Sequence, residues 1–163
     1  MQLVRLAQRG DAEAFVALMQ AHEAALYRVA KGYLRSDADV ADAMQETVLA
    51  CYEKLGQLQK PQHFKTWLIR ILINKCNDIR RAGSRITLET PPEQSAPDTG
   101  QANVEFQMLM DAFPEPDRTI LLLYYDQRMR VREISECMDM SVDAVKARLK
   151  RGRARFKASL DAV

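Results

Sequence analysis

The stretch VREISECMDMSVDAVKARLKRGRARF, residues 131–156, decides the fold class of the C-terminal part of the chain. Its apolar residues recur at the spacing of two helices that meet at Asp139, a residue type that tolerates the positive φ of a tight turn. Ser141 follows at the position of an N-cap for the second helix. The pattern therefore predicts a helix-turn-helix. The second helix is expected to bury Val142, Val145, Leu149 and Phe156.

The outer face of this second helix is strongly cationic. Residues 146–157 contain seven lysines and arginines and no acidic residue, more positive charge than a purely structural hairpin needs. The exposed positions nearest the start of the helix are candidates for contact with DNA in the major groove: Asp143, Ala144, Lys146, Ala147, Arg148, Lys150 and Arg151. Further along, Arg153 and Arg155 are candidate phosphate contacts.

Three more segments with helical periodicity precede this region. Asp11, after Gly10, is expected to cap a long helix, and Ser36 is expected to cap a second helix that ends at Gly56. The second helix is acidic, because residues 36–53 contain five aspartates and glutamates and no lysine or arginine. Such a surface differs sharply in charge from the C-terminal helix.

A third helix is predicted from Phe64, with one apolar face and one polar face. The polar face is expected to hold Thr66, Arg70, Ile73, Asn74, Asn77, Arg80 and Arg81. Residues 60–85 contain seven cations and one aspartate, so this is a second basic segment. A single basic run can be a solvated helix face, but two runs separated by an acidic one favour a polyanion partner such as nucleic acid.

Residues 87–103 contain three prolines, one glycine and no large apolar residue beyond Leu88, which is typical of a flexible linker. We therefore predict an all-α protein of two small helical domains, residues 1–86 and 104–163. Domains this small bury little surface, so docking to a partner is physically reasonable. In the second domain, helices are expected at about 104–113, 115–126, 131–138 and 142–160.

The composition excludes several classes of protein. The chain has 163 residues, of which 28% are charged, and no apolar run approaches the roughly 18 residues of a membrane span. Three isolated cysteines and two histidines provide neither a disulfide framework nor a metal or catalytic centre. The glycines are too far apart for a phosphate-binding loop. We expect no cofactor and no metal, and the N-terminus lacks the apolar core of a secretory signal.

Three stretches together resemble one protein family. DADVADAMQETVLACYEKL, residues 37–55, resembles the conserved region 2 helix of bacterial sigma-70-type factors, and FKTWLIRILINKCNDIRR, residues 64–81, resembles the next helix. Residues 109–156 resemble region 4 from end to end. Only these two regions are present, and this layout resembles the extracytoplasmic-function, or group IV, sigma factors.

The resemblance implies a transcription initiation factor that brings core RNA polymerase to promoters and has no chemistry of its own. The clamp helices of the largest polymerase subunit would dock on the acidic helix, and the polymerase flap region would supply a further contact. The implied docking residues are Asp42, Gln45, Glu46 and Leu49. The helix that begins at Ser141 would read the −35 element of the promoter.

The resemblance also implies that the loop 56–63 and the third helix read and open the −10 element. The implied contacts are Lys60, Lys65, Arg70, Asn74, Asn77 and Arg81. Besides core polymerase and promoter DNA, the family implies an anti-sigma factor that covers both binding surfaces. We expect a monomer when free, in the bacterial cytoplasm, where an anti-sigma factor could also hold it near the membrane.

Three residues depart from the family pattern. Asp139 replaces the usual turn glycine, Ser135 replaces a usual alanine, and Gly152 lies within a helix, where glycine costs about 1 kcal/mol relative to alanine. Two rival functions are a transcriptional regulator and an enzyme acting on nucleic acid. One rival is a dimeric helix-turn-helix repressor or activator that acts without replacing the sigma subunit. Such a regulator does not require an acidic docking helix with the sequence DAMQE, residues 42–46, followed by the basic helix that contains Trp67 and Asn74. An enzyme acting on nucleic acid would need paired carboxylates near a histidine, a nucleophile elbow or a metal cluster, and the sequence offers none of these.

Overall fold

The computed structural model describes residues 2–85 and 112–161, and every regular element in these two ranges is helical. The chain divides into two compact units, Met1–Glu93 and Gln94–Val163. The predicted all-α class with two helical units is confirmed. The predicted domain limits at 86 and 104, and nearly all of the predicted helix 104–113, lie outside the described residues, so they stay predictions.

The first unit contains four α-helices in the described residues. Two 3₁₀ turns, Leu55–Gln57 and Pro61–His63, connect the third helix to the fourth. The predicted caps are present: the backbone N–H of Ala14 donates to Asp11 Oδ1 (3.1 Å), and that of Asp39 donates to Ser36 Oγ (3.4 Å). The helices are α1 (Gln2–Gln8), α2 (Ala12–Tyr33), α3 (Asp37–Lys54) and α4 (Phe64–Arg85).

Helices α2, α3 and α4 pack against one another around a single core. Leu26, Val40 and Leu72 are at most 2% exposed, and burying a side chain of this size contributes about 1.5–3 kcal/mol. Ile73, which the sequence predicted on the polar face of α4, is 1% exposed, so that prediction is wrong. Because α4 packs against both α2 and α3, its buried face is wider than a single apolar stripe.

The second unit begins its described part with α5 (Asp117–Leu121), which continues as the π-helix Leu122–Asp126. The helix predicted at 115–126 is therefore present but changes its hydrogen-bonding pattern at its midpoint. It is followed by α6 (Val131–Met138) and α7 (Val142–Asp161), the two helices of the predicted helix-turn-helix.

The core of the second unit contains two of the residues predicted to be buried on α7, Val145 and Leu149. The other two, Val142 and Phe156, are 37% and 38% exposed, so their predicted burial is wrong. They lie at the two ends of the apolar stripe of α7, where fewer neighbouring side chains cover them. Ile120, Leu123 and Ile134 complete the core from α5, the π-helix and α6.

The turn between α6 and α7 has the geometry that the sequence predicts. Asp139 adopts the left-handed conformation, with φ 54° and ψ 49°, which aspartate tolerates better than most residues. The backbone N–H of Met140 donates to the Ser135 carbonyl (3.0 Å), and that of Ala144 donates to Ser141 Oγ (3.1 Å). Aspartate in place of the family's glycine therefore still forms the turn.

Gly152 has a packing role that its sequence position does not reveal. A Cβ atom added at Gly152 would lie 2.8 Å from Cδ2 of Leu121, closer than such atoms approach. Glycine therefore lets α7 lie close against α5, and this packing offsets its low helix propensity.

Candidate functional site

Helix α3 presents the predicted docking face to solvent. Asp42, Gln45, Glu46 and Leu49 are all exposed, Leu49 to 59%. Within the described ranges, none of the three polar side chains makes a hydrogen bond or ion pair with another residue. The opposite side of α3 is held in the core by Val40. The acidic face is therefore available for contact with a partner.

An apolar groove lies beside this face and was not predicted. Tyr52 is 71% exposed and meets Phe15 of α2 edge to face, with the ring centroids 5.4 Å apart. Leu49 and Tyr52 are three residues apart and both exposed, a signal that could have found the surface. The groove is lined by Phe15, Val16, Met19, Gln20, Glu23, Leu26, Met44, Gln45 and Val48.

Apolar and acidic side chains thus share one surface between α2 and α3. Leu49 and Tyr52 would gain from burial, whereas Asp42 and Glu46 repel polyanions. A surface of this composition fits a protein partner that offers apolar and basic side chains, and it disfavours DNA.

The loop 56–63 presents exposed polar side chains from a constrained backbone. Its C-terminal end is fixed by Phe64, which is 3% exposed and meets the His22 ring edge to face at 5.1 Å between centroids. The backbone N–H of His63 donates to the Lys60 carbonyl (2.9 Å) and closes the second 3₁₀ turn. The exposed side chains are Gln57, Gln59, Lys60, Gln62 and His63.

The residues predicted to contact the −10 element differ in exposure. Asn77 is half-buried, and its Oδ1 accepts a hydrogen bond from the Tyr33 hydroxyl of α2. The Arg80 guanidinium lies over the same Tyr33 ring, 5.4 Å from its centroid. Asn77 therefore belongs to an internal contact between α2 and α4. The exposed members of the set are Lys60, Lys65, Arg70, Asn74 and Arg81.

On α7, most of the predicted DNA-contacting residues are exposed, but Arg148 is not freely available. Its Nη1 donates to Asp117 Oδ1 at the start of α5, at 2.7 Å, and its side chain is 31% exposed. Ala144 is also half-buried. The exposed members are Asp143, Lys146, Ala147, Lys150 and Arg151.

The two predicted phosphate contacts pack against aromatic rings of the same unit. Arg153 Nε donates to the Tyr125 hydroxyl (2.8 Å), and this hydrogen bond raises the pKa of Arg153 above its ordinary value. The Arg153 guanidinium also lies 5.5 Å from the centroid of Tyr124, and that of Arg155 lies 5.8 Å from Phe113. Cation–π contacts leave a guanidinium charged, so both residues can still attract phosphate.

Nothing in the described part of the chain indicates a metal centre or a membrane span. No group of three or more His, Cys, Asp or Glu side chains in residues 2–85 and 112–161 is arranged to hold an ion. No described helix is both long and apolar enough to cross a bilayer. The three cysteines are buried, and desolvation raises the pKa of Cys51 to about 12, which keeps that thiol protonated.

Comparison with known proteins agrees with the two-unit organisation. The family model of Sigma-70 region 2 matches residues 18–86, and that of Sigma-70 region 4 matches residues 103–156. RNA polymerase sigma factor NccH of Alcaligenes xylosoxydans xylosoxydans is 30% identical to this chain. The alignment covers 97% of this chain and 92% of the NccH sequence. The chain belongs to the extracytoplasmic-function group of the sigma-70 family. Sigma factors are transcription initiation factors, not enzymes.

Two solved structures resemble this sigma factor along nearly its whole length. CnrH of Cupriavidus metallidurans, in complex with the cytosolic domain of CnrY, is 27% identical, with a TM-score of 0.72 over 98% of this chain and 96% of CnrH. RpoE of Bartonella quintana, in complex with the anti-sigma factor NepR, has a TM-score of 0.75 over 92% of this chain and 98% of RpoE. At 17% identity, the second likeness shows the fold alone.

Proposed function

We propose that this sigma factor binds core RNA polymerase through α3 and directs it to promoters through the loop 56–63, α4 and α7. The observation that carries the proposal is the presence of two exposed surfaces of opposite charge in separate units of one chain. The α3 surface is acidic and apolar, whereas α7 is cationic. The two surfaces need chemically different partners, one a protein and the other a polyanion.

The clamp helices of the largest polymerase subunit would dock on α3. Asp42 and Glu46 would meet basic side chains there. Leu49 and Tyr52, which are 59% and 71% exposed, would bury their apolar side chains in the interface. The apolar groove between α2 and α3 extends the same surface. The polymerase flap region would hold the second unit.

The −10 element would be read as single-stranded bases. Unstacking a base costs a few kcal/mol, which contacts to the flipped base and to the backbone must offset. Asn74 offers an exposed amide for a base edge, and the side chains of the loop 56–63 lie on the segment just before α4. Exposed cations are expected to hold the phosphates of the open strand: Lys60, Lys65, Arg70 and Arg81.

The −35 element would be read by the first turns of α7 in the major groove. Asp143, Ala144, Lys146 and Ala147 lie nearest the helix N-terminus and would enter the groove most deeply. Lys150 and Arg151 would lie at its margins. Arg148 would act mainly by fixing α7 to α5 through Asp117, because that ion pair uses its guanidinium.

An anti-sigma factor would control access to these surfaces. RpoE has been solved in complex with the anti-sigma factor NepR, and CnrH in complex with the cytosolic domain of CnrY. A regulator that covered the α3 surface of this chain would compete with core polymerase. The free sigma factor would be a cytoplasmic monomer, and its regulator could hold it near the membrane.

Transcription from a randomised promoter library with purified core polymerase tests the proposal. Initiation should depend on adding this protein, and the enriched templates should share two elements at −10 and −35. A dimeric helix-turn-helix regulator would instead bind paired half-sites without core enzyme and would give no such initiation. Initiation that is equal with and without the protein would contradict the proposal.

A further inference from the structure

A side chain from α1 holds the start of the loop that precedes α4. Gln8 Nε2 lies 3.0 Å from the Leu55 carbonyl oxygen and 2.8 Å from the Leu58 carbonyl oxygen. Carbonyl oxygens can only accept hydrogen bonds, so the amide nitrogen must face them and both of its hydrogens are used. These contacts join residues 47 and 50 positions apart in the sequence.

The two carbonyls lie just beyond Lys54, the last residue of α3, so no later turn of that helix offers them a donor. The last carbonyls of a helix have no partner within the helix and must find one elsewhere. The Leu55 carbonyl accepts the Leu58 N–H (3.2 Å) within the 3₁₀ turn, and Gln8 supplies its second partner. The second Gln8 contact fixes the Leu58 carbonyl. The direction in which the chain continues to the exposed Gln59 and Lys60 is therefore set by Gln8.

Gln8 is itself held in place by the turn between α1 and α2. It is the last residue of α1, which is anchored by the buried Val4 (3% exposed). Gly10 adopts φ 96°, a conformation that favours glycine, and its N–H donates to the Ala7 carbonyl (3.0 Å). Asp11 then caps α2. The amide of Gln8 thus has a defined position relative to α2.

We propose that Gln8 is a positioning residue for −10 recognition: its amide holds the turn that aims the loop 56–63 at the unstacked base. This role rests on the proposed function of that loop. Gln8 acts through Leu55 and Leu58 and makes no contact with DNA itself. A residue needed only for folding would change activity on all promoters alike, whereas a positioning residue changes the preference among −10 bases.

The test compares variants of the full-length protein with core polymerase on promoters that differ at single −10 bases. Gln8→Glu has the same size but removes the donor and directs a carboxylate at two carbonyl oxygens. The ratio between the best and the worst −10 base should fall about tenfold, since two hydrogen bonds are lost. Discrimination among −35 variants should not change.

Two further variants serve as controls. Gln2→Glu makes the same change at an exposed position of α1 and should leave the −10 preference unchanged. Gln8→Lys keeps a donor at this position and should restore part of the preference. If Gln8→Glu does not fold, Gln8→Leu removes the donors without adding charge, and hydrogen exchange at the Leu58 amide should then be faster than in the wild type.

The outcomes separate this proposal from the proposed function. If Gln59→Ala alters the −10 preference and Gln8→Glu lowers initiation equally on all variants, the positioning role is wrong while the loop still reads DNA. If neither Gln59→Ala nor Gln62→Ala, two changes at exposed polar side chains of the loop, alters the preference, the assignment of the loop itself is wrong. Unchanged exchange at the Leu58 amide in Gln8→Glu and in Gln8→Leu would also overturn the positioning role.

Discussion

Helices α3 and α7 have exposed surfaces of opposite charge, and the fold uses their side chains to very different extents. On α3, Asp42 and Glu46 make no hydrogen bond or ion pair with another residue in the described part of the chain. On α7, Arg148 pairs with Asp117, and Arg153 donates to Tyr125. These two arginines of α7 therefore both stabilise the second unit and add to the positive charge that attracts a partner.

This difference determines how substitutions should be interpreted. An exposed residue without internal partners usually changes stability by at most about 0.5 kcal/mol when replaced, so a loss of binding can be assigned to the interface. Replacing Arg148 or Arg153 instead removes a contact within the unit and a positive charge at once. Binding data for α7 therefore need a stability measurement beside them.

The largest effect is expected on α3. Asp42→Lys combined with Glu46→Lys replaces attraction by repulsion at two positions of the proposed docking surface, and core binding should weaken about a hundredfold or more. The melting temperature should stay close to that of the wild type. Binding to labelled core polymerase and thermal melting of the same samples measure both quantities.

A matched control separates the docking surface from net charge. Asp78→Lys with Glu136→Lys changes the net charge by the same amount at two exposed positions on other helices. The control should retain its affinity for core. If the α3 variant also retained its affinity, α3 would not be the docking surface, and the contrast between α3 and α7 would lose its functional meaning.

Asn74 and Asn77 of α4 differ in the same way as the charged residues of α3 and α7: one is exposed to solvent and the other makes a contact within its unit. Asn74 is exposed, whereas Asn77 accepts a hydrogen bond from Tyr33. Asn74→Ala should reduce open-complex formation about tenfold on duplex promoters and much less on templates already unpaired around −10, because unpairing removes the unstacking cost. Permanganate reactivity and run-off yield on the two templates measure the difference.

Asn77→Ala is the structural counterpart of this variant. It removes the hydrogen bond that Asn77 accepts from the Tyr33 hydroxyl, which should destabilise the protein by about 1–3 kcal/mol and lower activity on both templates alike. Equal losses on duplex and unpaired templates for Asn74→Ala would show that Asn74 has no part in melting.

The local features of this chain could be predicted from its sequence. The caps at Asp11, Ser36 and Ser141 and the left-handed Asp139 depend on residues within a few positions of one another, where residue type largely decides the conformation. The docking face of α3 was implied by the family resemblance, and its four residues are exposed in the structure.

Contacts between distant segments could not be predicted. Tyr33 and Asn77 are 44 residues apart, and periodicity gives the face of a helix but not its neighbour. Gly152 looked like a weakness because its contact with Leu121 exists only after α5 and α7 pack together. Ile73 was misassigned for the same reason, since a helix with two neighbours buries a wider face.

The smallest expected effect concerns the ion pair between Asp117 and Arg148. It measures how much a charged side chain of α7 stabilises its own unit, which the acidic side chains of α3 are not expected to do. The side chains are 13% and 31% exposed, so solvent screens the pair and a double-mutant cycle with Asp117→Ala and Arg148→Ala should give a coupling of about 0.5–1 kcal/mol in stability. Each single variant should weaken binding to all −35 sequences alike, because α7 loses part of its support. Lys146→Ala, the comparison on the exposed face, should leave stability unchanged and relax the preference at one or two base pairs. If the coupling were zero and Arg148→Ala altered the base preference, Arg148 would be a base contact. Residues of α7 that hold the helix in place could then no longer be distinguished from residues that contact bases.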